Sequence, residues 1–290
     1  MKNDEKQAIA FLSPMILIML SLVIYPIIRT FFYSLQEYKL TEPENTKFIG
    51  LKNYIDILTS KAFQHAFINT LVVIVIVLIV GFTLSVIVAL ILNHKTRVNG
   101  FLTAIAIIPW ALPPVVNGII WRFIFYPGFG FLNKLFLNLN LIDKPVNWLD
   151  SRYGTLIIVG IIVAWRVIPF GAIVLMTNMQ SIPVELYEAA EVDGSNKIQT
   201  FKNITFPLLI PSITIVLTNL IMNSVNVFDE IVALVGYRNM GQTLLIYNYT
   251  ETFSFLNFGY GSAITYIIML GSGVYGYFYV KNLNRQGGKA

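Results

Sequence analysis

Asn219, Asn223 and Asn226 recur at spacings of four and three, with Ser224 among them, inside a stretch (203–228) that holds no charged residue. Those spacings put the three amides on one face of a helix. An amide in apolar surroundings has two uses. It can bond a neighbouring helix, worth roughly 0.5–2 kcal/mol per contact. It can instead offer donors and acceptors to a solute crossing a membrane. The residues alone leave both open. Arg122 and Arg166 each follow a tryptophan inside an apolar run. A buried guanidinium grips phosphate or a uronate bidentately, whereas one near a span end snorkels to the interface.

Covalent chemistry has little to work with. No G-x-x-x-x-G-K-[ST] phosphate loop, H-E-x-x-H or G-x-S-x-G occurs, so the usual nucleotide cradle, zinc site and serine elbow are missing. His65 and His94 stand alone near the ends of apolar blocks. The absence of cysteine excludes disulfides, thiolate metal sites and cysteine nucleophiles together. Neither a metal nor any other cofactor is expected on this chain.

The elements that must carry these side chains are membrane helices. The 290-residue chain is 56% hydrophobic and 12% charged, where soluble domains are about 25% charged. Its apolar residues come in six blocks, near 8–35, 66–92, 101–126, 153–178, 206–228 and 260–280. A hydrocarbon core about 30 Å thick needs about 20 residues of helix, so each block can span it. None shows the alternation of a barrel strand. Pro14, Pro26, Pro109, Pro113, Pro114, Pro169 and Pro211 lie within blocks and count against long straight helices. The charged start and the run after it resemble a signal peptide. The run is too long for one and lacks a small-residue cleavage pattern, so it reads as a retained first span.

The expected fold is therefore all-α, integral to the membrane, with six transmembrane helices in one domain over 1–290. With a cytoplasmic N-terminus, Lys2, Lys6, Lys95, Arg97, Lys197, Lys202, Lys281, Arg285 and Lys289 fall inside. The outer segments hold nearly as many basic residues, but the inner ones are shorter and so denser in charge. Both termini are accordingly placed in the cytoplasm. The net charge of +5 suits anionic lipid headgroups and calls for no nucleic acid.

The polar segment 180–207, between the fourth and fifth blocks, reads as a helix–turn–helix. Pro183 suits a first helical turn. Leu186, Ala189, Ala190 and Asp193 follow at helical spacing, with Glu185, Glu188 and Glu191 on another face. Gly194 can end that helix in a left-handed conformation, and Ser195 can cap a second bearing Ile198, Phe201 and Thr205. Such a segment either receives another protein or lies on the membrane surface.

Glu188-Ala189-Ala190, three residues, Gly194, nine residues, Ile204, two residues, Pro207 resembles the EAA loop of ABC importer permeases. Phe206 stands where that family more often has leucine. The chain is similar to the sugar branch, with its MalF-like and UgpA-like subunits, over nearly its whole length. Phe11-Leu12-Ser13-Pro14, Tyr25-Pro26, Gly50-Leu51-Lys52-Asn53-Tyr54, Asn69-Thr70 and Pro109-Trp110 carry the likeness. So do Trp121-Arg122, Trp165-Arg166-Val167-Ile168-Pro169-Phe170 and Phe228-Asp229. It departs where the family often has a Gly-Gly-Pro turn, since Gly236-Tyr237-Arg238-Asn239-Met240-Gly241 stands there.

The resemblance implies a permease subunit in a bacterial or archaeal cytoplasmic membrane, importing a mono- or oligosaccharide by alternating access. It implies four kinds of contact: a second permease, two separate ATPase subunits that bind ATP and Mg, an extracytoplasmic sugar-binding protein, and lipid. Glu185, Glu188, Ala189, Ala190, Asp193, Gly194 and Pro207 would couple to the ATPase. Trp110, Pro114, Asn117, Trp165, Arg166, Asn219, Asn223 and Ser224 are the candidate sugar contacts. The Trp-Arg pairs look usual for the branch whatever the substrate, which weighs against an anionic sugar or glycerol phosphate. A secondary transporter would show an internal repeat and membrane carboxylates. No convincing repeat is found, and Asp229 and Glu230 lie at a span end, outside the apolar stretch. A membrane enzyme would need a polar catalytic cluster at one depth, and none is evident.

Overall fold

The computed structural model describes residues 2–94, 97–237 and 241–287. In chain order the helices are α1 (Lys2–Met19), α2 (Tyr25–Ser34), α3 (Lys52–Thr59), α4 (Lys61–Asn93), α5 (Asn99–Ala111), α6 (Pro114–Ile124) and α7 (Phe131–Asn138). They continue as α8 (Arg152–Gln180), α9 (Val184–Val192), α10 (Lys197–Thr200), α11 (Phe206–Val225), α12 (Asp229–Val235), α13 (Leu244–Tyr249) and α14 (Phe258–Gly287). A short antiparallel ribbon pairs β1 (Gln36–Glu37) with β2 (Lys47–Phe48). Among the described residues five helical stretches are long and apolar enough to cross a membrane: Ile9–Ser34, Lys61–Asn93, Arg152–Gln180, Lys197–Val225 and Phe258–Lys281. A bent pair, α5 with α6, brings the number to six when its halves count as one span. Of the residues weighed for orientation and loop shape, Lys95, Arg238, Asn239, Met240 and Lys289 lie outside those described.

The third block is two helices, meeting at 97°. The cause is local. A residue before proline is pushed out of the helical region, and here Leu112 and Pro113 both precede one. Their ψ angles are accordingly extended, at 131° and 141°. Two other prolines act more gently. A π turn at Leu20–Ile24 ends two residues before Pro26, and one at Phe201–Thr205 ends two residues before Pro207. A widened turn relieves the missing N–H and the ring's clash with the preceding turn, so both helices run on.

The chain forms two compact units. The first comprises Met1–Gln64 and Tyr247–Gly273. In it Asn53 donates to the carbonyls of Ser34 (3.0 Å) and Gln36 (2.9 Å), and the Ser34 and Tyr54 hydroxyls share a hydrogen bond at 2.7 Å. The Tyr266 hydroxyl donates to Ile27 O at 2.6 Å. Burial lifts the Glu251 carboxyl above its ordinary range, partly opposed by a hydrogen bond with Tyr247. Burial lifts the Tyr247 hydroxyl as well.

The second unit comprises His65–Ile246 and Val274–Ala290. Its core gathers on α8, the most buried span, with Leu156, Val159, Ile162, Val163 and Leu175 packed among Val73, Val216, Leu220 and Ile231. Small residues let the helices close. A Cβ on Gly160 would lie 2.5 Å from Ile76, and one on Gly171 would lie 2.5 Å from the Ser85 hydroxyl. Helix α6 meets α12 in the same way: a Cβ on Gly118 would lie 2.7 Å from Ala233 Cβ and 2.8 Å from Glu230 O.

Two stability measurements check this packing. Gly118→Leu drives a side chain into the backbone of α12, and overpacking of this kind costs about 1–3 kcal/mol. A lowered melting midpoint in detergent is expected, and an unchanged one would show that α6 and α12 are not in contact. Glu251 holds its proton more tightly folded than unfolded, so its contribution is present at acid pH and is lost as pH rises through its raised value. Glu251→Gln should flatten the fall in midpoint as pH rises above the ordinary carboxylate range.

Candidate functional site

The second unit carries a line of polar side chains through its apolar core. Arg166 lies half-way along α8. Its Nε donates to Glu230 Oε1 at 2.8 Å, and its Nη2 donates to Asn223 Oδ1 at 3.1 Å. Asn223 in turn donates to the carbonyl of Asn219 (2.9 Å) and to its Oδ1 (3.2 Å). The Glu230 side chain is 3% exposed and that of Arg166 14%. Ions this far from water need both a partner and further hydrogen bonds, and this pair has them. The guanidinium charge is thereby compensated inside the protein, which leaves it a poor grip for an anionic solute.

Each element places its residue for a local reason. Asn219 and Asn223 sit one turn apart on α11, as their spacing requires. Asn226 leaves that line: it ends α11 as C-cap, is exposed, and donates to Met222 O at 2.9 Å. Ser224 is buried and donates to Leu220 O within its own helix at 2.7 Å. Asn117, on α6, is fully buried and donates to Ile162 O of α8 at 3.4 Å. Pro114 opens α6 as its first residue. Trp165 meets Trp121 edge to face at 5.6 Å. Trp110 is 51% exposed and packs on Phe170, 6.2 Å away. Arg122 lies in the last turn of α6, exposed, and lines a cleft of about 550 Å³ with Tyr126, Asn147 and Gly236. That position fits the snorkelling reading.

The elbow between the fourth and fifth spans is built as a closed hydrogen-bonded turn. Helix α9 ends at Gly194, φ +75°, with Gly194 N–H donating to Glu191 O (3.0 Å) and Ser195 N–H to Ala190 O (2.9 Å). That pair of bonds is a Schellman end, which needs a left-handed residue. The cap of the second arm is Asn196 rather than Ser195. Its side chain accepts from Gln199 N–H while Gln199 Oε1 accepts from Asn196 N–H, a complete capping box. That arm does not stand apart as a second short helix: α10 passes through the π turn into α11 as one span, Lys197–Val225. The Tyr187 and Thr205 hydroxyls, 3.2 Å apart, tie the two arms together. Ala190 is buried while Ala189, Glu185, Glu188, Asp193, Gly194 and Pro207 are exposed. Around them stand bare apolar side chains, Val192 at 88% and Ile198 at 78%.

Residues 81–286 match the family described as binding-protein-dependent transport system inner membrane component. The chain belongs to that family. This transport component is 31% identical over 275 residues to the trehalose/maltose transport system permease protein MalF of Thermococcus litoralis, covering 92% of this chain and 91% of that one. It is 31% identical over 265 residues to the arabinooligosaccharides transport system permease protein AraP of Bacillus subtilis, covering 90% and 83%. A bacterial ABC transporter involved in import of the acidic polysaccharide alginate shares the fold, at TM-score 0.83 and 21% identity over 98% of this chain and 96% of that one.

One member of the polar line escaped the sequence. Glu230 was expected outside the apolar stretch, and it is 2% exposed. The chain turns back after α11, so α12 returns to the core. Asp229 beside it is exposed, and adjacent acids with opposite fates look alike in a sequence. The usable signal was Arg166, since a mid-span guanidinium requires a carboxylate somewhere. Other family-like residues in this transport component hold loops in place. Asn69 donates to Gln242 O (2.7 Å) and accepts from Arg152 Nε (2.8 Å), and Thr70 accepts from Leu244 N–H (2.9 Å).

Losing one partner of a buried ion pair costs about 3–5 kcal/mol, while replacing both by apolar residues costs little. Arg166→Met and Glu230→Met should each lower the detergent melting midpoint sharply, and the double variant should recover most of the loss. Strictly additive losses would show that the two charges do not interact.

Proposed function

We propose that this chain is a transmembrane permease subunit of an ATP-driven importer of a sugar, a mono- or oligosaccharide. The observation that carries the reading is the elbow: an exposed, internally bonded turn with bare apolar side chains, between two spans of a chain in this family. In this reading it faces the cytoplasm, six spans put both termini there, and the whole chain works as one permease domain. A cleft on a separate ATPase receives Glu185, Glu188, Ala189, Asp193, Gly194 and Pro207, with Ala190 packed beneath them. ATP and Mg are bound by that partner.

The sugar reading is supported by the relatives, whose names specify trehalose, maltose and arabino-oligosaccharides. It is also supported by the amide line. Asn219 and Asn223 offer groups suited to hydroxyls, beside a guanidinium already neutralised by Glu230. Trp110, Pro114, Asn117, Trp165, Arg166 and Ser224 complete the candidate path, Ser224 by shaping α11 from within. A binding protein delivers the sugar on the extracytoplasmic side of a bacterial or archaeal inner membrane. Closure of two ATPase subunits pulls on the elbow and rocks this subunit against a second permease.

Co-expression with neighbouring genes and mild solubilisation tests the assembly. Recovery of a complex with an ATPase pair and a second permease is expected. Gly194→Asp sharpens the test: a Cβ there meets nothing within 4 Å, and the strain that φ +75° puts on any side chain stays in an exposed turn outside the spans. Insertion should therefore survive while ATP-driven uptake is abolished; normal uptake would remove the elbow from the mechanism.

A further inference from the structure

The last turn of α4 and the first turn of α10 line a common pair of clefts. Helix α4 is about 50 Å long at helical rise, and the rod Lys197–Val225 about 43 Å. A hydrocarbon core is about 30 Å thick, and about 40–45 Å with its headgroups. Both helices overshoot the core, so their ends reach the headgroup zone. One cleft, of about 410 Å³, is lined by Asn93, His94, Tyr187, Glu191, Ser195 and Lys197 among others. The second, of about 420 Å³, shares His94 and Lys197 with it and adds the apolar Leu90, Ile198 and Phe201. Bonds within the chain fix the walls. Asn99 donates to Leu92 O (3.0 Å) and to His94 O, pinning the end of α4. The Asn196 capping box sets the turn that bears Lys197, and the Tyr187–Thr205 contact ties α9 to the rod.

Glu191 and Lys197 line the first cleft with opposite charges, both exposed. Neither side chain has an ion-pair or hydrogen-bond partner among the described residues. Opposite charges that share a cleft without touching leave room for a group that carries both. A lone phosphate would meet Glu191 as a like charge, and a lone ammonium would meet Lys197. A phosphoethanolamine satisfies the two together, its phosphate toward Lys197 and its ammonium toward Glu191. Asn93, Tyr187 and Ser195 can bond the remaining oxygens. The adjoining apolar cleft suits the glycerol end of acyl chains, at the depth where lipid carries them. We propose that the two clefts seat one ethanolamine phospholipid, headgroup in the first and acyl ends in the second. None of the residues given to the ATPase lines either cleft, so lipid and partner can be held together.

The test uses the full chain, alone or in its complex, in nanodiscs of equal ethanolamine, choline and glycerol phospholipid. Lipid retained after mild release is counted by native mass spectrometry. Choline lipid has the same phosphate and charge but no N–H to donate, and glycerol lipid has no ammonium. The wild type should hold the ethanolamine lipid over the other two by roughly two- to fivefold, the range of exposed charge pairs. Glu191→Gln should keep lipid and lose the preference. Lys197→Gln should lose retention of all three, and Lys197→Arg should keep it. Wild-type retention in proportion to supply means annular lipid only, and overturns the proposal. Variants that shed the ATPases with lipid retention unchanged also overturn it, since the clefts then serve that partner. Soluble glycerophosphoethanolamine held as tightly as the lipid would overturn the lipid assignment. Retention is read without transport, so the result stands apart from the importer reading.

Discussion

A guanidinium half-way along a membrane span must be met by a carboxylate, and the second unit is organised around meeting it. Arg166 stands about 21 Å from the start of α8 at helical rise, too far in to reach water by extending. The chain therefore turns back after α11 so that α12 can deliver Glu230. That return requires α6 to lie hard against α12, which Gly118 permits. The amides of Asn223 and Asn219 continue the compensation along α11. Four helices thus share one electrostatic obligation, and the apolar core packs around it.

Helix α8 is where packing and charge meet. A bilayer supplies little hydrophobic drive between helices, so contact depends on close approach and on polar bonds. Gly160 and Gly171 provide the first, and the Ser85 hydroxyl, donating to Ile168 O at 3.1 Å, provides the second. Helix α8 runs unbroken from Arg152 to Gln180 despite Pro169 within it.

What could be read from sequence was what is local. Charge-free runs such as 66–92 announce spans because length and polarity are properties of the segment itself. Gly194 was readable because a left-handed helix end is a one-residue requirement. The cap beside it was off by one, since Ser195 and Asn196 both cap well and only the reach of Gln199 decides. The third block looked whole because hydropathy is blind to backbone angles, although Leu112-Pro113-Pro114 contains the whole cause of the bend. Glu230 was missed for a different reason. Its partner is 64 residues away, and no pattern along the chain distinguishes it from Asp229. Asn117 was named among the candidate sugar contacts, but its full burial and its bond to Ile162 O depend on where α8 lies.

The continuity of Lys197–Val225 has a mechanical meaning. The elbow's second arm and the helix bearing Asn219 and Asn223 are one rod, with Asn223 about 39 Å from Lys197. A push at one end cannot be absorbed by a flexible joint, because the capping box and the Tyr187–Thr205 contact brace the first turns. The rod behaves as a lever: tilting it by about 10° about its base sweeps the far end through about 7 Å over that length. The π turn at Phe201–Thr205 lies near the foot of the rod, where the Tyr187–Thr205 contact holds it to α9.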